Sequence, residues 1–413
     1  MTYKAFKFLL KPNQEQREQL TRWGGSTRWL WNYCLEKNKE KYQQEKKFIF
    51  EHEMIIALPK LKQKFDFLRE VPSQALQQKC MDFNTALTRV WKQGNGFPKF
   101  KSKHQNSDSL RIPLTNHQVK PTKPQIKLPK IGWVKWKRHR PLEGKLKNIT
   151  IKQELGNWYV VCLCELPEIE TKQVIDSIVG IDLGLKEFAV TSDNQSYHTP
   201  KLYRKKQKKL AHQQRILARR TKGSANRLKA KNKLAKTHLK IRNQRQDFTH
   251  KISTQITKDY SFVAVEDLNI KGMTKNRRLA KAISDQGWAM FLNQLDYKSK
   301  ANGGKTVRID RWAPSSKTCS NCGEKHQMPL CVRVMKCDCG HVMDRDLNAA
   351  HNIRRWGLKL LVGMGHTEPG ETQNACGDTT TGVRSTDPTR YVSLKQEKFL
   401  SFGQEAATLQ GSQ

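Results

Sequence analysis

Acidic residues are scarce in this chain: 37 Asp and Glu stand against 77 Lys and Arg, and the formal charge is +40. A compact protein with that imbalance repels itself unless a polyanion neutralises it. An ordinary near-neutral globule is thereby excluded, and nucleic acid is the expected partner. A membrane surface is the other polyanion, but no apolar run reaches the roughly 18–20 residues of a spanning helix. The opening MTYKAFKFLLKPNQEQ also lacks a long apolar stretch and a small-residue cleavage site, so no secretory signal is expected. The expected setting is cytosolic or nucleoid-associated. No internal repeat is visible.

A disulfide framework is missing too. Cys34, Cys80 and Cys376 are isolated, and Cys162 and Cys164 alternate in an apolar strand, where they share one face. Only Cys319, Cys322, Cys331, Cys337 and Cys339 cluster. In a reducing compartment that pattern points to metal.

The apolar periodicity divides the rest. YKAFKFLL (3–10) reads as a strand. Residues 13–47 read as a helix capped by Asn13, with Leu20, Trp23, Thr27, Leu30 and Cys34 on one face. Further helices are expected at 51–66 and from Ser73 to about Trp91, followed by a Lys-, Pro- and Gly-rich stretch at 94–145 and a strand pair at 146–166 turning at Gly156-Asn157. A second unit opens at IVGIDLG (178–184), and its segment 201–251 holds 19 Lys/Arg and one acid, Asp247. Tyr203, Leu210 and Leu217, then Leu234, Ile241 and Phe248, recur at heptad spacing and are interrupted by GSAN, which predicts a helical hairpin with basic outer faces. Such a charge run is often only a solvated surface. Here nearly every charge has one sign, which favours contact with RNA or DNA.

Three acids stand out. Asp182 ends an apolar strand between Gly180 and Gly184, Glu266 ends FVAVE, and Asp346 lies at the start of the helix DRDLNAAHNI. A charge inside an apolar strand is costly unless it is paired or binds metal. The flanking glycines are expected to let a phosphate backbone approach. Phosphodiester hydrolysis with two metals needs carboxylates converging on hard cations, usually Mg²⁺. Each acid also has a bland reading as a turn or cap residue; Asp344 fits the helix cap as well as Asp346 does. The order strand–Asp, strand–Glu, helix–Asp matches RNase H-like nucleases and predicts a mixed sheet. Between the second and third acids, Cys319-Ser-Asn-Cys322 and Cys337-Asp-Cys339 suit a tetrahedral structural Zn²⁺. The tight C-x-C pair leaves Cys331, His326 and His341 as alternative ligands.

GIDLGLKEFAV, VEDLNIKGMTKN, SSKTCSNCG, CDCG and DRDLNAAHNI together resemble TnpB, the RNA-guided endonuclease family of insertion sequences, itself similar to type V CRISPR effectors. WLWNYCLE and FPKFKSK (97–103) resemble it too. The resemblance covers roughly residues 1–358. It implies a RuvC-type nuclease with Asp182, Glu266 and Asp346 as catalytic, Mg²⁺-binding acids; Asp344 is the second choice for the last. It further implies a guide RNA from the transposon end and a double-stranded target DNA recognised beside a short motif. The expected fold is multidomain α+β. It has a wedge β module, barrel-like, at 1–16 and 106–175 and a helical recognition domain at 17–105. The RuvC-like nuclease domain takes 176–315 and 343–358, a zinc ribbon 316–342, and a disordered tail 359–413. Candidate nucleic-acid contacts are Gln74, Gln77 and Gln78 on the helix after Pro72, Lys99 and Lys101, and the aromatic–basic cluster of Trp133, Lys135, Trp136 and Arg138. Lys205, Lys206, Lys209, Arg219 and Arg220 join them from the basic hairpin. The glutamines equally suit a polar helix face, and the tryptophans a core. Alternative functions are a cleavage-independent RNA-guided DNA-binding regulator, an acidic-triad transposase and a compact type V CRISPR effector.

Overall fold

The computed structural model describes residues 2–103, 108–113, 119, 123–170, 177–329 and 331–363. The chain divides into two compact units at Pro167–Glu168. In the first, β1 (Thr2–Lys11) leads into α1 (Gln14–Glu45), α2 (Glu51–Lys64) and α3 (Ser73–Gln93). Asn13 starts α1 through a capping box with Gln16. Five strands follow: β2 (Ser109–Pro113), β3 (Gln125–Leu128), β4 (Gly132–Lys137), β5 (Lys145–Glu154) and β6 (Asn157–Leu166). They join β1 in an antiparallel sheet of order β2-β5-β6-β1-β4-β3. The β5–β6 hairpin turns on Leu155 and Gly156, both at positive φ, one residue earlier than the sequence suggested. Strand alternation drives Phe6, Phe8, Leu10, Val134, Trp136, Ile149, Ile151, Trp158, Val160, Cys162 and Cys164 into one core shared with α1 and α3.

The second unit is built on a mixed sheet of order β11-β10-β7-β8-β9. Its strands are β7 (Ile178–Asp182), β8 (Glu187–Thr191), β9 (Ser196–His198), β10 (Phe262–Glu266) and β11 (Lys305–Ile309). β7, β10 and β11 are parallel to one another, β8 runs antiparallel to β7, and β9 runs antiparallel to β8. The basic hairpin is α4 (Leu202–Arg219) and α5 (Ala225–Asp259), and the Ser224 side chain caps α5. The short helices α6 (Ile270–Met273) and α7 (Ala280–Gln286) precede α8 (Trp288–Ala301). The small hairpin of β12 (Val334–Lys336) and β13 (Val342–Asp344) leads directly into α9 (Arg345–Val362).

Alternation along β7 and β10 decides what each sheet face carries. Val179, Ile181, Val263 and Val265 pack beneath α5 and α8 against Ile252, Ile256, Phe291 and Leu295. The opposite face carries Ala264, Val307 and Ile309 beneath Ile353 of α9. Helices on both faces explain why these strands are continuously apolar. α9 runs past residue 358, where the nuclease domain was expected to give way to the tail, to Val362, and Gly363 takes the left-handed cap position. The remainder of the expected tail, residues 364–413, lies outside the described residues.

Candidate active site and metal-binding ribbon

Small residues let α9 lie directly on the sheet, so that its N-terminal end comes near the strand ends carrying Asp182 and Glu266. Gly180 and Ala264 are register partners on the α9 face. A Cβ on Gly180 would sit 2.1 Å from the Ala350 carbonyl oxygen and 2.4 Å from the Arg354 nitrogen. A Cβ on Gly357 would fall 2.4 Å from that of Ala264. The expectation that Gly180 clears room for a phosphate is thus corrected: the space is filled by the α9 backbone. Two residues further along each strand, on the same face, stand Asp182 and Glu266. Asp346 shares a helical face with Ala350, Ile353 and Gly357, so docking of this face brings it to the same strand ends.

The electrostatics report that convergence. Burial first, then the charges of Glu266 and Asp346, push the Asp182 carboxyl well above its usual range; Arg345 opposes them. Burial also raises Glu266, and a hydrogen bond from Ser315 opposes it. The Ser315 hydroxyl donates to Glu266 Oε1 at 2.5 Å. Asp344 plays another part: its Oδ1 accepts the backbone N–H groups of Asp346 (2.9 Å) and Leu347 (3.3 Å), capping α9.

Cys319, Cys322, Cys337 and Cys339 come together with all four Sγ atoms within 4.8 Å of one another. Each pair rides on a tight turn. The Gly323 amide donates to the Cys319 carbonyl at 3.0 Å and the Gly340 amide to that of Cys337 at 2.9 Å, both glycines at positive φ. Of the alternatives, Cys331 is exposed and outside this group, and His341 bonds the Ser320 hydroxyl instead. His326 Nε2 lies 3.2 Å from Cys337 Sγ and belongs, with Glu324, to a second grouping that shares Cys337.

Sequence reasoning missed the residues that fasten this ribbon to the acids. Buried Asn352 donates to the carbonyls of Ser315 (2.9 Å) and Thr318 (2.6 Å), and Asn348 donates to Thr318 (2.8 Å) while accepting from the Ser320 amide (2.9 Å). Buried Arg345 donates to the Pro329 carbonyl (2.8 Å) and the Ser316 hydroxyl (3.2 Å). Two polar residues four apart, inside an otherwise core-facing helical pattern, were the available signal.

The proposed nucleic-acid contacts are scattered. Trp136 is buried against Phe8, with ring centroids 4.8 Å apart, so it is a core residue and not a stacking surface; the alternation of β4 turns Lys135 outward instead. Lys101 holds its ammonium 3.5 Å from the Trp31 ring centre, and burial above all lowers its pKa to about 8. It is therefore committed to packing more than to phosphate. Gln78 donates to Met81 Sδ, whereas Gln74 and Gln77 are exposed. Lys99 is exposed, and Trp133 and Arg138 are half-buried. On the hairpin, Lys205, Lys209, Arg219 and Arg220 are exposed and Lys206 is half-buried. Among the described residues, no helix is long and apolar enough to cross a membrane.

Comparison with known proteins extends these observations. Residues 161–277 match the OrfB/IS605 family described as "Probable transposase", and residues 288–353 match a Cas12f1-like TNB domain. Residues 1–47 match a helix-turn-helix domain, although here they form a strand and one long helix. A candidate RNA-guided DNA endonuclease of Streptomyces pristinaespiralis is 34% identical over 401 residues, covering 95% of this chain and 96% of that protein. The candidate RNA-guided DNA endonuclease InsQ of Escherichia coli K12 is 31% identical over 377 residues, covering 87% and 93%. A TnpB-like protein, L770, of Acanthamoeba polyphaga mimivirus is 24% identical over 243 residues, 54% of this chain and 46% of its own. A Cas12f1 chain in a complex with sgRNA and target DNA shares the fold at a TM-score of 0.53, with 16% identity over 83% of both chains. Likeness sustained over almost the full length of two relatives, and not over one motif, decides the matter: the chain belongs to the TnpB family of RNA-guided DNA endonucleases.

Proposed function

We propose that this protein cuts double-stranded DNA at Asp182, Glu266 and Asp346, directed by a bound guide RNA from the transposon end. The observation that carries the proposal is the seating of α9 on the sheet face that ends in Asp182 and Glu266, close enough that the charges of Glu266 and Asp346 add to burial in raising the Asp182 carboxyl above its usual range. Three half-buried carboxylates, two at strand ends and one in the first turn of α9, are costly side by side and stabilised by a divalent cation. Their donor set is hard oxygen, which fits Mg²⁺. The sheet order and the placing of the acids support an RNase H-like, RuvC-type domain, with one site cutting both strands in turn.

Asp182, Glu266 and Asp346 would hold a pair of Mg²⁺ ions, which supply an activated water and neutralise charge on the leaving oxygen. The chain's own share is positioning. Ser315 fixes one oxygen of Glu266, so the other faces the site in a defined direction. Gly180 sets the depth of α9 and hence of Asp346. The four thiolates suit a closed structural Zn²⁺ site. That ribbon would carry no chemistry and would shape the ground beside the acids. The antiparallel sheet and the three helices between β1 and β2 support a wedge (1–16, 106–175) with a recognition insertion (17–105) that reads a short DNA motif. The exposed lysines and arginines of α4 would follow a nucleic-acid backbone.

All three acids are present, which favours cleavage over a purely regulatory role. In the test, the protein is purified with its copurifying RNA and given matched DNA in Mg²⁺. Wild type cuts; Asp182→Ala binds the target and does not cut. Full cutting by that variant sinks the assignment.

A further inference from the structure

The loop from β11 toward the ribbon begins and ends at Glu266. It leaves Ile309, the register partner of Glu266, and returns with Ser315, whose hydroxyl bonds the Glu266 carboxylate. In between, the backbone N–H of Trp312 donates to Asp310 Oδ1 at 2.5 Å, and that of Ala313 to the Asp310 carbonyl at 3.2 Å. This turn fixes Trp312 at the loop tip. Its side chain is 84% exposed, the most of any large hydrophobic residue described. An exposed indole adds little to folding stability, because it leaves its large apolar surface in water. Beside it opens a cleft of about 440 Å³ lined by Asp267, Arg308, Ile309, Asp310, Arg311 and Trp312. Both guanidinium groups at this cleft are already engaged, Arg308 with Asp296 at 2.6 Å and Arg311 with Asp267 at 2.5 Å. The cleft thus offers a flat ring beside two arginines already paired and the Asp310 carboxylate, which suits the face of a base better than a phosphate.

We propose that Trp312 is a stacking platform for an unpaired nucleobase of the DNA strand entering the carboxylate site. The inference rests on the cleavage reading above for its location. Stacking there would hold a strand opened from its duplex with its backbone beside Asp182, Glu266 and Asp346. Aromatic stacking is tolerant of sequence, as an enzyme whose specificity lies in its guide requires.

The test uses the full chain with its copurifying RNA and a matched duplex carrying 2-aminopurine at successive positions around the cut. In an Asp182→Ala background, one position should be quenched on binding. Quenching should be lost with Trp312→Ala and kept with Trp312→Phe. In otherwise wild-type protein, Trp312→Ala should slow single-turnover cutting by about tenfold to a hundredfold, and Trp312→Phe by no more than about threefold. Target binding should be unchanged in both. Wild-type cutting by Trp312→Ala, no Trp312-dependent position, or loss of target binding (which would mark a duplex or protein contact) overturns the proposal. If Asp182→Ala itself cuts, the active-site reading fails separately, and fluorescence read in chelating buffer still decides on Trp312.

Discussion

At the scale of single residues, two acids were legible and one was ambiguous. Asp182 and Glu266 stood out because each ends an apolar β-branched run, where a carboxylate is expensive. Asp344 and Asp346 could not be separated by spacing alone. Their backbone roles separate them: Asp344 accepts two helix N–H groups, whereas Asp346 lies on the face that docks on the sheet. Asp346→Ala is therefore expected to lower cutting by about a hundredfold or more, as losses at a metal site do. Asp344→Ala should cost about 1 kcal/mol of helix capping and leave cutting nearly intact. Single-turnover cleavage and thermal melts of both variants check this, and the reverse pattern would exchange the two roles. Ser315 was illegible, since its bond to Glu266 spans 49 positions of sequence.

The raised carboxyl groups also set a pH dependence. A group whose pKa is higher folded than unfolded binds more protons in the native state, so it lowers stability as pH rises from the ordinary carboxylate range through the raised value. Asp182 and Glu266 both shift this way. In chelating buffer at neutral pH, Asp182→Asn should therefore melt above wild type. The gap should close toward about pH 4, where both forms are uncharged, and close or invert when Mg²⁺ is added. A melt-temperature series across pH, with and without the metal, reads all three effects.

At the scale of elements, the apolar runs located the two strands that end in Asp182 and Glu266 and the helix that opens at Asp346, because the apolar residues recur at the spacing each element needs. It could not say which face met which neighbour. Gly180 invited a phosphate in sequence and meets a helix in the fold. Gly180→Ala is expected to cost at least about 1–3 kcal/mol, because the clash is with backbone that cannot rotate away. Cutting should fall with it as Asp346 is displaced. Denaturant unfolding and cleavage of the same preparation test the pair together; an unchanged midpoint would contradict the docking. The tryptophans of β4 were divided evenly between core and surface by composition, and only register with β1 decided Trp136. For the ribbon, elemental analysis should find about one zinc per chain on the four cysteines. Cys322→Ser should lower that content, while Cys331→Ser should not.

At the scale of the whole molecule, composition was the strongest guide. A formal charge of +40 requires a polyanion, and the α4–α5 hairpin concentrates much of it. Preparations should carry RNA, seen as a raised 260/280 nm absorbance ratio. Stripping that RNA should lower the melting temperature and make the protein insoluble at low salt, an effect reversed by adding RNA. RNA-free protein that is equally stable at low salt would count against the guide. What the guide says, and which DNA motif it accompanies, lies in nucleic acid that no amino-acid pattern spells.

The polar side chains of α9 have a mechanical consequence. Asn348 and Asn352 hold the chain where it enters the ribbon, and Arg345 reaches Ser316 at that entry and Pro329 between the two cysteine pairs. The mouth and the middle of the excursion are thus stitched to the helix that carries Asp346. Strain placed on the ribbon is passed through those stitches to α9, and so to the third acid, as close-packed interiors pass strain.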